Sequence, residues 1–107
     1  MIHQGDIILV DLNPVKGHEE GKKRPVLVVS NDDFIKFTRN LVKLVPISST
    51  KNDFPLHIPL PKGLKTNGVV LTQHERTVDI NARGYRFIEK VPDDFLNKVI
   101  TVLKTMY

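Results

Sequence analysis

Cysteine and tryptophan are both missing from this 107-residue chain. Without cysteine there is neither a disulfide nor a thiolate zinc site, a composition that suits a reducing compartment. No apolar run approaches the ~20 residues a spanning helix needs, so no membrane segment is expected. The opening residues Met1-Ile2-His3-Gln4-Gly5-Asp6 lack the basic and apolar regions of a signal peptide, which points to a soluble cytoplasmic protein. What is present is basic: 16 Lys and Arg against 12 Asp and Glu, net charge +4. That balance favours a polyanionic partner without identifying one. The length suits one domain spanning 1–107, able to bury roughly 60–70% of its unfolded surface.

Short apolar runs rich in β-branched residues recur at Asp6 to Leu12, Pro25 to Ser30, Leu41 to Ser48, Pro55 to Leu60, Gly68 to Gln73 and Tyr85 to Val91. Between them stand Asn13-Pro14, Lys51-Asn52-Asp53, Pro61-Lys62-Gly63 and Thr66-Asn67-Gly68, which are turn signals. The pattern predicts an antiparallel sheet curled into a small barrel. Asn31-Asp32-Asp33 is placed to cap a short helix over Phe34 to Arg39, although a loop fits nearly as well. The final helix is clearer. Val91-Pro92-Asp93-Asp94 starts it, and Phe95, Leu96, Val99, Ile100, Leu103 and Met106 follow at helical spacing, so it should close the barrel or one edge.

Chemistry-bearing residues crowd the segment from Gly17 to Arg24, where His18, Glu19, Glu20, Lys22 and Lys23 sit between glycines and a strand. It is not a phosphate-binding loop. The glycines are too close, no Ser or Thr follows Lys22, and a strand follows where a helix is required. Metal ligation fails on spacing too, because Lys22 stands four residues after His18 and the histidines at 3, 57 and 74 form no ligand set.

Arg24 is fixed at the mouth of a strand by Pro25, which stiffens the backbone. Alone, it reads more readily as an edge arginine paired with a carboxylate. Ser48, Ser49 and Thr50 end another apolar strand, where hydroxyls either serve the turn backbone or face a ligand.

An ordered series of short motifs runs along nearly the whole chain. It comprises Gly5-Asp6-Ile7, Asp11-Leu12-Asn13-Pro14, Gly17-His18-Glu19, Arg24-Pro25-Val26, Val45-Pro46-Ile47-Ser48, Thr66-Asn67-Gly68-Val69-Val70, Arg76-Thr77-Val78-Asp79, Ala82-Arg83-Gly84 and Val91-Pro92. This series resembles the MazF/PemK family of type II toxin endoribonucleases. The resemblance implies a mainly β fold with a C-terminal helix, an SH3-like small barrel, usually homodimeric, that needs no cofactor or metal. It further implies cleavage of single-stranded RNA to 2′,3′-cyclic phosphate and 5′-hydroxyl ends, inhibition of translation and growth, and an acidic antitoxin as partner. Arg24 and Ser48 match the family's catalytic arginine and hydroxyl, while His18 and Glu19 fall in its first RNA-contacting loop. Lys16, Ser49, Lys51, Asn52, Phe54, Gln73 and His74 lie where matching segments touch RNA, although Phe54 suits a core equally.

Leu71 and Gln73 replace an Arg and an Asp that PemK-type members use, so the general base passes to His18 or Glu19. Arg76 and Arg83 either bind phosphate or pair with Asp79 and Glu89. Two rivals share the fold: gyrase-poisoning toxins, which resemble one another in a C-terminal tryptophan lacking here, and a plain SH3-like binding module.

Overall fold

The computed structural model describes residues 1–12, 23–50 and 54–107. Seven antiparallel strands form the sheet: β1 (Asp6–Asp11), β2 (Lys23–Val28), β3 (Leu41–Ser48), β4 (His57–Pro59), β5 (Val69–Leu71), β6 (Arg76–Asp79) and β7 (Tyr85–Lys90). Among the described residues, three α-helices accompany them: α1 (Asp32–Phe37), α2 (Ile80–Arg83) and α3 (Asp93–Lys104). The strand order is β4-β5-β3-β2-β1-β7, and β6 also pairs with β3. β3 is the hub. Its first half pairs with β6, its middle with β2 and its last two residues, Ile47 and Ser48, with Val70 and Val69 of β5.

The strand runs are apolar on both faces because both faces are covered. Alternation along β1 and β2 sends Ile8, Val10, Val26 and Val28 into one cluster with Val42, Leu44 and Val78, and sends Ile7 and Leu27 into another with Val45 and Val70. The second cluster is where α3 docks, through Phe95, Val99 and Leu103. The helix therefore covers a face of the sheet rather than an edge, and Met106, counted above with its apolar stripe, lies past its end and is exposed.

Other boundaries differ from the sequence reading for local reasons. Pro25 to Ser30 becomes Lys23–Val28, since β2 pairs back to Asp11 at the hairpin end. Gly68 to Gln73 ends as a strand at Leu71 and turns into a 3₁₀ turn over Thr72–His74. Pairing in Pro55 to Leu60 is confined to His57–Pro59. α1 exists, capped by the Asn31 side chain, which accepts from the Phe34 N–H at 2.8 Å. It stops at Phe37 because Arg39 and Asn40 take left-handed φ values of 57° and 78° to reverse the chain.

Asp32 in the first turn of α1 ties down the N-terminal segment, accepting from Gln4 N–H and His3 Nδ1, each at 2.8 Å. Those two bonds, the backbone one first, hold its carboxyl below the usual range. Among the described residues, no helix is long and apolar enough to cross a membrane.

Candidate active site

Register decides which side chains share a face. Val26 of β2 lies opposite Pro46 of β3, and Arg24 and Ser48 each stand two residues further toward the same end of the ladder. Arg24 and Ser48 therefore project on the same face, over the end of the cluster containing Val26 and Val28. Arg24 lies opposite Val10 of β1, is half-buried, and has Nε and Nη1 shielded from solvent. The sheet thus holds a guanidinium by its stem and fixes its direction.

Ser48 is held on its other edge by β5, and its Oγ accepts the Thr50 N–H at 3.1 Å. The turn-serving role of a strand-end hydroxyl is therefore present. It does not exhaust the group: with the oxygen engaged as an acceptor, the hydroxyl proton remains available to a ligand oxygen. Ser49 and Thr50 beside it are exposed.

At this end of the sheet a cavity of about 530 Å³ is lined by Leu12, Pro46, Gln73, His74, Glu75, Arg76 and Thr77. Pro46 connects it to the pair above, being the cross-strand partner of Val26. Gln73 and His74 reach it from the 3₁₀ turn, both exposed. Phe54 is 47% exposed, so it is not a core residue. Its ring meets His57 edge-on with centroids 5.0 Å apart, and His57 Nε2 lies 2.8 Å from Gln73 Nε2. Arg24, Ser48, Ser49, Phe54, Gln73 and His74 are thus placed on neighbouring strand ends and turns. Lys16, His18, Glu19, Lys51 and Asn52 lie outside the described residues.

The sequence reading missed Glu75 and Thr77 as cavity residues, and offered Arg76 only as a phosphate binder or a partner of a carboxylate, because β6 carries only one buried residue, Val78, and no apolar run. The alternating Arg76-Thr77-Val78-Asp79 was the available signal. Nor do the expected arginine pairings describe this region. Asp79 caps α2, accepting from Asn81 and Ala82 N–H, while Glu89 takes both the N–H and Oγ1 of Thr66 and the Lys65 N–H. Arg83 Nη1 donates to the Asp11 carbonyl at 2.9 Å. Among the described residues, no group of three or more His, Asp or Glu side chains could hold a metal ion.

The ordered motifs and this architecture have matching relatives. Residues 3–107 match the family described as PemK-like, MazF-like toxin of type II toxin-antitoxin system. Endoribonuclease PemK of Escherichia coli is 37% identical over 110 residues, covering 98% of this chain and 81% of the relative. Endoribonuclease MazF of Staphylococcus epidermidis is 35% identical over 83 residues, covering 74% of this chain and 69% of the relative. In three dimensions, the crystal structure of MazF (Form-I) from Deinococcus radiodurans superposes with a TM-score of 0.89 at 30% identity, covering 98% of this chain and 94% of that one. A MazE-MazF (Form-II) structure from the same organism gives a TM-score of 0.82 at 26% identity, covering 98% and 93%. The chain belongs to the PemK/MazF family of type II toxin endoribonucleases.

Proposed function

We propose that this toxin cuts single-stranded RNA, mRNA included, at preferred sequences by turning the RNA's own 2′-hydroxyl on the adjacent phosphate. The 2′-oxygen forms a bond to phosphorus, the bond to the 5′-oxygen breaks, and the products are a 2′,3′-cyclic phosphate and a 5′-hydroxyl. An internal nucleophile needs positioning, a base and charge neutralisation, none of which requires a metal. The observation that carries this reading is the placement of Arg24 and Ser48 on one face at neighbouring strand mouths, beside an open cavity.

Arginine stays protonated at neutral pH, so Arg24 clamps the phosphorane charge or protonates the leaving oxygen, and does not act as base. Ser48 donates to a phosphoryl oxygen, contributing roughly 2–4 kcal/mol in the transition state, by analogy with a single oxyanion donor. The base falls to His18, or to Glu19, which otherwise orients Arg24; an imidazole with an ordinary pKa near 6.5 is suited to that role. Ser49, Lys16, Lys51, Asn52, Phe54, Gln73 and His74 bind the flanking nucleotides, through stacking and edge hydrogen bonds.

Cleavage of mRNA in the cytoplasm inhibits translation and growth. A cognate acidic antitoxin restrains the toxin by lying over its basic substrate surface, and the working unit is a homodimer. The partner reading draws on the MazE-MazF structures of the similar D. radiodurans toxin.

The decisive experiment is incubation of the protein with long RNA in EDTA, followed by analysis of fragment ends. Fragments with 5′-hydroxyl termini support the reading, whereas intact RNA across many sequence contexts removes the nuclease in favour of a non-catalytic binder. A 2′-deoxy substitution at the cut nucleotide should abolish cutting there.

A further inference from the structure

Gln73 is the cavity residue best placed to read a base, yet a free glutamine is a poor reader because its amide turns over to present either oxygen or nitrogen. Here that freedom is removed. Gln73 Nε2 lies 2.8 Å from His57 Nε2. An amide nitrogen has only protons to give, so in this arrangement His57 Nε2 accepts and the ring proton lies on Nδ1.

The arrangement is locked from behind. Leu56, just before His57, offers its carbonyl to both Thr72 Oγ1 at 2.6 Å and Thr72 N–H at 3.2 Å, and Thr72 immediately precedes Gln73. His57 also pairs with Leu71 across β4 and β5, and the Phe54 ring abuts the imidazole. These ties fix the two backbone positions from which the side chains meet. With its NH₂ held by His57, Gln73 keeps its amide oxygen for the cavity it lines.

We propose that His57, acting through Gln73, makes this site select a base carrying an amino group at purine C6 or pyrimidine C4, adenine or cytosine, over guanine or uracil, which carry a keto oxygen at the equivalent ring position. The inference rests on the RNA reading above and deepens it. His57 is a positioning residue, since it touches Gln73 and not the base. Discrimination by one edge hydrogen bond is worth about 1.4 kcal/mol, or about tenfold.

The test uses a random single-stranded RNA pool, with fragment ends sequenced, alongside binding of the same pool in 2′-O-methyl form. Wild type should favour A or C over G or U about tenfold at one position relative to the cut. His57→Lys presents only donors, should capture the amide oxygen, turn the NH₂ outward and invert the preference to G or U. His57→Ala should erase it, and Gln73→Glu, which offers acceptors alone, should retain it. A merely structural histidine would change the rate in His57→Lys and leave the base preference as it was.

Unaltered preference in a folded His57→Lys protein that still cuts overturns the inference and leaves the nuclease reading standing. RNA that is bound with His57-dependent preference but never cut supports the inference and overturns the nuclease. A folded wild type that neither cuts nor binds overturns both. Independently of RNA, the long-range ¹H–¹⁵N spectrum of the His57 ring should report the Nδ1–H tautomer, and an Nε2–H tautomer would refute the arrangement.

Discussion

The backbone of Gly68 packs so closely on Ser48 that a methyl group added to Gly68 would overlap the Ser48 carbonyl oxygen. Gly68 also has φ +127°, a conformation that L side chains rarely adopt. The turn before β5 thus sets the height of the strand end that carries the hydroxyl.

Gly68→Ala should therefore lower RNA cleavage more than its stability loss explains, by displacing Ser48. The expected stability loss is on the order of 1–3 kcal/mol for the strained backbone. Gly63 provides the control, since it also has a positive φ but a Cβ there meets nothing within 4 Å. Gly63→Ala should lose stability alone, checked by denaturant titration beside initial cleavage rates.

Arg24→Ala should reduce cleavage at least about a hundredfold while the melting temperature stays close to wild type, the size expected for a lost transition-state clamp. Arg24→Lys should recover little of it, because a point charge does not reproduce a planar fork held at a fixed strand position. A wild-type rate in either variant would remove Arg24 from the chemistry.

Glu89 gives a pH signature. Burial alone pushes its carboxyl up, but hydrogen bonds from Lys65 N–H, Thr66 Oγ1 and Thr66 N–H outweigh this and hold it below its ordinary value of 4.5. A depressed folded pKa means the unfolded chain takes up the proton first, so the stabilisation is full above pH 4.5 and is lost as pH falls through the folded value. Glu89→Gln should flatten that acid-side decline in melting temperature; an unchanged slope would count against the linkage.

Leu27 lies fully buried in the cluster beneath α3. Leu27→Ala should cost roughly 2–5 kcal/mol by removing contacts and leaving a void. Against a total of about 5–15 kcal/mol that is a large share, readable from a shifted denaturant midpoint.

How much of this was legible beforehand differs by residue. β3 and the start of α3 could be read because long β-branched runs and an acidic first turn after Pro92 leave little choice. β6 could not, since its pairing to β3 is made by backbone groups beneath mostly polar side chains. Arg24 and Ser48 were visible as strand-mouth residues, but their common face follows from the register of β2 on β3, which depends on residues about twenty positions apart. His57 appeared only as a histidine without ligand spacing. Its partner Gln73 lies sixteen positions away, joined to it by a strand pair that local pattern does not encode.

The placement of β1 between β2 and β7 also governs when the molecule exists during its synthesis. The first strand to emerge from a ribosome finds one neighbour early, in β2, but its other edge stays open until β7 follows, and the core cover supplied by α3 comes later still. Long-range pairing of this kind completes slowly and late. A nascent chain thus presents Arg24 and Ser48 well before the sheet and core around them are complete.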